Sequence, residues 1–63
     1  MNQYYIQFHI IGVSKHYASP VNIHPEPDAN GTTAKIIRKA LNDANLEHLK
    51  VSDVVIEVLT KLN

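Results

Sequence analysis

The chain has 63 residues, with six basic and six acidic side chains, four histidines and no cysteine. This length predicts one small domain spanning residues 1–63. Without cysteine there is no disulfide and no thiolate metal site, and a net charge of zero gives no long-range field to gather nucleic acids. No signal peptide is visible, and no apolar run approaches the ~20 residues that span a membrane. We therefore expect a soluble, cytoplasmic protein.

The first predicted element is a strand over residues 3–13, where apolar and polar side chains alternate. Period two, with β-branched and aromatic residues, is typical of a half-buried strand. The face toward the core is predicted to carry Tyr4, Ile6, Phe8 and Ile10, and the opposite face Gln3, Tyr5, Gln7 and His9.

A second, shorter strand is predicted over residues 20–24, with Val21 and Ile23 on one face. Because Pro20 has no N–H group to donate, the strand should lie at a sheet edge or begin just after the proline. The two strands should pair antiparallel around a turn at residues 13–17. Two prolines and an Asn-Gly pair then predict a loop over residues 24–31.

A helix is predicted from about residue 33 to about residue 44. Thr32 and Thr33 stand where an N-cap belongs. Asn45 tolerates the left-handed conformation, and Leu46 would fold back on the last turn in a Schellman motif. The apolar stripe expected at three- and four-residue spacing comprises Ile36, Ile37, Ala40, Leu41 and Ala44.

The C-terminal stretch, residues 49–63, fits two structures. As a helix capped by Ser52, its apolar residues form one stripe that includes Val54, Val55 and Val58. As a strand, its β-branched residues alternate, and a third strand would complete the sheet. We predict the helix, and therefore a two-layer α+β domain with the order ββαα and ββαβ as the alternative. Ile6, Phe8 and Val55 are among the side chains that we expect to be nearly fully buried.

The histidines and acidic residues form no strong metal or catalytic motif. His24, Glu26 and Asp28 are spaced two apart, so in an extended segment their side chains would point the same way. A metal site needs three or four converging ligands, however, and prolines separate these residues. Because neither a phosphate loop nor a GxSxG motif is present, we expect no metal, no cofactor and no catalysis.

Residues 20–41 resemble the last strand, loop and helix of HicA-type toxins, which are small ribonucleases with a double-stranded-RNA-binding-like fold. The resemblance lies in the strand ending near His24-Pro25, in Gly31-Thr32 at the start of the helix, and in Ile36 and Ala40 after it. It implies RNA binding or cleavage. The family's catalytic histidine belongs to a Gly-Ser-His motif, and His16 corresponds to it only if two positions are inserted after Gly12. The family's N-terminal helix has no counterpart, and residues 47–63 are unaccounted for.

The function that we expect from the sequence is a non-catalytic protein–protein interaction module. Its surface would be the outer face of the first strand together with the exposed sheet edge, and the partner protein is unidentified. The binding residues predicted for it are Tyr5, Gln7, His9, Tyr17, Val21 and Ile23. A homodimer is also expected, because a small domain without disulfides leaves apolar surface to cover. The alternative is an RNA-binding or ribonuclease domain, in which Lys35, Arg38 and Lys39 contact phosphates and His16 is catalytic.

Overall fold

The computed structural model describes residues 2–62 and contains one three-stranded antiparallel sheet and one α-helix. The elements in chain order are β1 (Asn2–Ile10), β2 (His16–Ile23), α1 (Ala29–Asp43), a short 3-10 helix (Val51–Asp53) and β3 (Val54–Lys61). The strand order in the sheet is β2-β1-β3, with β1 antiparallel to both neighbours. Strands β2 and β3 are therefore parallel to each other, and the segment containing α1 links them across β1, as parallel strands require.

The hairpin of β1 and β2 is antiparallel, as the sequence predicts, but β2 begins four residues earlier than expected, at His16. The turn lies at residues 11–15, two positions earlier than predicted. The Val13 N–H donates to the Ile10 carbonyl at 2.9 Å, and Gly12 has a φ of +81°. A type II turn needs a positive φ at its third position, which glycine adopts without strain. Pro20 lies in the edge strand, where its missing N–H group leaves the ladder with β1 undisturbed.

The predicted end of α1 is confirmed, whereas its start lies about four residues earlier than predicted. Asn45 has a φ of +61°, and the Leu46 N–H donates to the Leu41 carbonyl at 2.8 Å, which is the Schellman motif. The N-cap is Asp28, whose carboxylate accepts from the Gly31 N–H. Within residues 2–62, no helix has the length and apolar character needed to cross a membrane.

The core lies between α1 and one face of the sheet. Its buried residues are Ile6, Phe8, Ile10, Val21, Ile23, Ile36, Ile37, Ala40 and Leu41. The core-facing side of β1 and the apolar stripe of α1 both contribute side chains to this core, as predicted. Ala44, the last residue of the predicted stripe, is only partly buried. Val54, Ile56 and Leu59 of β3 pack against its border.

The prediction of a C-terminal helix was wrong, because residues 54–61 form β3 and the order is ββαβ. The domain remains α+β. Val55, which we expected in the core, is 38% exposed on the other side of the sheet. Ser52 lies inside the 3-10 helix that precedes β3 and does not cap an α-helix.

A β-bulge in β3 explains why the C-terminal pattern fits a helix as well as a strand. Phe8 faces Ile56 and Gln7 faces Val58, so that Glu57 is the extra residue between them. A bulge shifts the side-chain alternation by one residue. The apolar residues on the core side are therefore Val54, Ile56 and Leu59, a spacing of two and then three.

We predict that Phe8→Ala lowers the free energy of unfolding by about 3–5 kcal/mol, because the 1% exposed ring leaves a cavity between the sheet and α1. Val55→Ala is the matched control and should cost about 1 kcal/mol or less, since its side chain faces solvent. Urea denaturation measures both values. Equal losses for the two variants would contradict the assignment of the faces.

We also predict that Asp28→Ala lowers the free energy of unfolding by about 1 kcal/mol through loss of the helix cap. Thr33→Ala is the control, because the Thr33 hydroxyl donates only to the Ala29 carbonyl within the first turn. If Thr33→Ala proves the more damaging of the two in the same denaturation experiment, the helix begins later than Asp28.

Candidate functional site: the open face of the sheet

The side of the sheet opposite α1 carries no helix within residues 2–62, and we call it the open face. Cross-strand partners share a face, so the register gives its rows across β2, β1 and β3. The rows are Pro20–Tyr5–Thr60, Ala18–Gln7–Val58 and His16–His9–Val55, with Glu57 at the bulge beside the last of them. Tyr5, Gln7 and His9, which we predicted to point away from the core, lie in its central column.

The open face is poor in charge and contains apolar side chains. Of the charged side chains in residues 2–62, Glu57 alone stands on it. Val55 and Val58 are each 38% exposed, and Tyr5 is half-buried between Pro20 and Thr60. Few charges and a central aromatic residue are the composition that distinguishes the middle of a protein interface from the rest of a surface.

Two histidines and one glutamate converge at the end of the open face nearest the hairpin turn. His9 and His16 are directly opposite in β1 and β2, and their rings meet edge to face with centroids 5.5 Å apart. The His16 Nδ1 atom lies 2.8 Å from Glu57 Oε2, and the His9 Nδ1 atom lies 3.5 Å from the same oxygen. One ligand atom from each residue falls within 4.8 Å of the other two.

The bulge in β3 brings Glu57 into this cluster. In an unbroken alternation Glu57 and Val58 would point to opposite faces of the sheet, so only one of them could share the open face with Val55. The bulge puts both Glu57 and Val58 on the same side as Val55. Glu57 therefore reaches across β1 to contact His16 in β2.

The surroundings of Glu57 favour its ionised form. The hydrogen bond from the His16 ring, together with the charges of His16 and His9, holds the pKa of the Glu57 carboxyl below its ordinary value of 4.5, against a smaller opposing effect of desolvation. The side chains of His9 and Glu57 are 30% and 32% exposed and that of His16 is 65% exposed. A carboxylate and two imidazoles thus face solvent together.

Three of the predicted binding residues do not belong to the open face. Tyr17 lies on the core side, where it stacks on Phe8 with ring centroids 5.2 Å apart and an angle of 13°. Val21 and Ile23 are 1% and 5% exposed and belong to the core. What this edge strand offers to a partner is therefore its backbone, not these side chains.

The predicted phosphate-contacting residues line a shallow groove of about 440 Å³ beside α1, and each already contacts another group. The Lys35 Nζ donates to the His24 carbonyl at 2.8 Å and lies 3.7 Å from Glu26. Arg38 donates to the Leu49 carbonyl at 3.1 Å. Lys39 lies 3.7 Å from Asp43.

The acidic loop before α1 has structural contacts. Asp28 caps the helix, and the Glu26 backbone N–H donates to the Thr32 hydroxyl at 2.9 Å. Among the side chains described, His24, Glu26 and Asp28 form no group of converging ligand atoms. We expected no metal site from the sequence and missed the cluster on the open face. The histidine pair could have been predicted from the sequence, because a hairpin turn at residues 11–15 places His9 opposite His16.

Comparison with protein-family models, with curated proteins and with solved structures finds no match for this chain. The segment that resembles HicA-type toxins does fold as a strand, a loop and a helix. It is not the end of the domain, however, because β3 follows α1 and pairs with β1. His16 is the first residue of β2, beside Glu57.

We predict that the stability of the protein falls in acid partly through Glu57. Because the pKa of Glu57 is lower in the folded chain, its contribution is present above its unfolded value near 4.5 and is lost as the pH falls through the folded value. Glu57→Gln lacks this contribution, so its free energy of unfolding should fall less between neutral pH and acid. Urea denaturation across pH, with a chelator present, measures the difference.

The control for this prediction is Glu47→Gln, which removes an exposed carboxylate from the loop after α1 and should keep the wild-type pH dependence. An unchanged pH dependence in Glu57→Gln would mean that the contact with His16 is not maintained in solution.

Proposed function

We propose that this chain is a non-catalytic protein-binding module and that the open face binds the open face of a second copy. The observation that carries the proposal is that one face of the sheet is covered by α1, while the other presents Tyr5, Val55 and Val58 to solvent. Two sheets pack well face to face when their facing side chains interdigitate. A homodimer would supply the second layer that this face lacks.

The charge pattern favours a second copy as the occupant. A surface that forms a two-fold dimer must not repel an identical surface, because the same patch of each copy forms the contact. The open face carries one carboxylate beside two histidines and no lysine or arginine. A strongly acidic or basic partner would find no complementary charge there.

The size of the open face predicts a weak dimer. Three strands about 4.8 Å apart and eight residues long cover roughly 14 Å by 27 Å. That footprint is about half of the ~800 Å² that each partner buries in a stable interface. An interface of ~800 Å² would take up about a fifth of the 4041 Å² of accessible surface on this chain. We therefore expect a dissociation constant in the micromolar range rather than an obligate dimer.

The sheet edges are a second, smaller element of the proposal. Strands β2 and β3 are the two edge strands of the sheet. The outer edge of each offers backbone N–H and C=O groups to another strand. Because residues 54–61 form β3, this part of the chain offers a second copy a strand edge and not a helical surface. Edge pairing therefore remains the alternative mode of association.

We predict that the wild-type chain self-associates between ~1 and ~100 µM and that Val58→Lys weakens this association at least about tenfold. Position 58 lies in the middle row of the open face, so in a face-to-face dimer each copy would bury an unpaired ammonium group. Sedimentation equilibrium at several loading concentrations measures the constant. Thermal melts should rise with concentration in the wild type, since association stabilises only the folded state.

The matched control is Ala34→Lys, which adds the same charge on the exposed side of α1 and should leave association unchanged. A wild-type chain that stays at 7.1 kDa throughout, with a concentration-independent melt, contradicts the dimer. Dimerisation that survives Val58→Lys assigns the contact to a strand edge. Affinity for RNA that falls steeply with salt would favour the ribonuclease alternative instead.

A further inference from the structure

We propose that His9, His16 and Glu57 form a binding site for one divalent transition-metal ion, with Zn²⁺ as the best fit. All three ligands come from a single chain, so the site is complete without the proposed dimer, although it lies on the same open face. It gives His9 and His16 a joint role that the sequence did not predict.

The ligand atoms already stand close to the positions that a metal ion requires. Zn²⁺ binds imidazole nitrogen and carboxylate oxygen at about 2.0–2.2 Å in a tetrahedron, which separates neighbouring ligand atoms by roughly 3.3 Å. Here the two Nδ1 atoms lie 2.8 Å and 3.5 Å from Glu57 Oε2, and the full set lies within 4.8 Å. Side-chain rotations that move the ligand atoms by a few tenths of an ångström to about 1 Å would bring them to the spacing that Zn²⁺ requires.

An unsatisfied ring nitrogen supports the same conclusion independently. The His9 Nδ1 atom is shielded from solvent, and no hydrogen-bond partner reaches it within residues 2–62. The distance of 3.5 Å to Glu57 Oε2 is longer than the roughly 2.7–3.2 Å of an ordinary hydrogen bond. A buried polar atom without a partner costs free energy, and a metal ion held between these residues would remove that cost.

The backbone holds the three ligands in place. His9 and His16 are paired residues in adjacent strands, so the ladder of hydrogen bonds fixes the spacing of their backbones. Glu57 is fixed by the bulge in β3, and bulges commonly re-aim a side chain toward a functional position. Ligands carried on strands are positioned more accurately than ligands carried on loops.

The donor set determines which metals fit. Two imidazoles and one carboxylate suit Zn²⁺ and its neighbours Co²⁺, Ni²⁺ and Cu²⁺, whereas Ca²⁺ and Mg²⁺ prefer six or more oxygen ligands. The outer side of the site faces solvent, where the His16 side chain is 65% exposed. A water molecule would fill the fourth position, as in open three-ligand zinc sites.

A metal site fits this surface better than general acid–base catalysis by the same residues. Catalysis on a substrate usually needs a concave pocket that buries the reacting groups. Two cavities of the described residues lie away from the cluster, one beside Lys35 and Arg38 and the other beside Tyr17 and Ala40. A metal ion needs only the converging ligand atoms.

The test is calorimetric titration of Zn²⁺ into the full chain without a histidine tag, followed by Co²⁺ absorption spectra. We expect one ion per chain and a Co²⁺ spectrum of low coordination number. His9→Ala, His16→Ala and Glu57→Gln should each weaken Zn²⁺ binding at least about tenfold, since each removes one of three ligands. His48→Ala, which removes an exposed histidine that does not belong to the cluster, should bind Zn²⁺ like the wild type.

Several results would overturn the proposal. The first is a wild-type chain that binds no Zn²⁺ at a hundredfold molar excess, and the second is an equal loss of affinity in His48→Ala and His16→Ala. A normal affinity in His9→Ala would also overturn it, because the site would then be an ordinary His16–Glu57 pair. Binding of Ca²⁺ or Mg²⁺ as tight as that of Zn²⁺ would contradict the donor set.

A measurement on the wild-type chain tests the site even if the variants fail to fold. The imidazole NMR signals of His9 and His16 should shift or broaden on addition of Zn²⁺ or Co²⁺, while those of His24 and His48 stay in place. Changes confined to His24 or His48 would assign the metal to another surface and overturn the site on the open face.

Discussion

The pairing of β1 with a strand on each side is the constraint on which the rest of the structure depends. Ile6 and Phe8 point from this central strand to α1 and are 0% and 1% exposed. Because alternate residues of one strand face opposite sides, burying them directs Gln7 and His9 to the open face. A register shift of one residue would exchange the two sets. The core and the cluster of His9, His16 and Glu57 are therefore consequences of the same register.

Local patterns predicted those parts of the fold in which neighbouring residues along the chain determine the structure. The alternation in β1 gave the correct faces, and Asn45 followed by Leu46 gave the correct helix end. Both signals lie within one element. The start of α1 was misplaced because Thr32 and Thr33 follow Asp28 within about one and a half turns, and all three are residue types that cap helices. Only the contact between Asp28 and Gly31 distinguishes them.

The third strand and the site were not predictable in the same way. The bulge at Glu57 interrupts the period of two, so the valines of β3 and Leu59 also satisfy the spacing of a helix. Choosing between the two requires knowing that β1 has a free side to pair with. The cluster adds a further step, because His9, His16 and Glu57 come from three strands and meet only when both registers and the bulge are correct.

The fold and the site both require that β3 pairs with β1 through a bulge at Glu57, and nuclear Overhauser contacts in the wild-type chain measure this pairing. We expect cross-strand backbone contacts linking Phe8 with Ile56 and Ile6 with Leu59, together with side-chain contacts that join His9 to His16. Contacts between residues three apart along β3 would instead indicate the helix, and a ladder that places Phe8 opposite Glu57 would remove the bulge. Either result would contradict the fold and the site together.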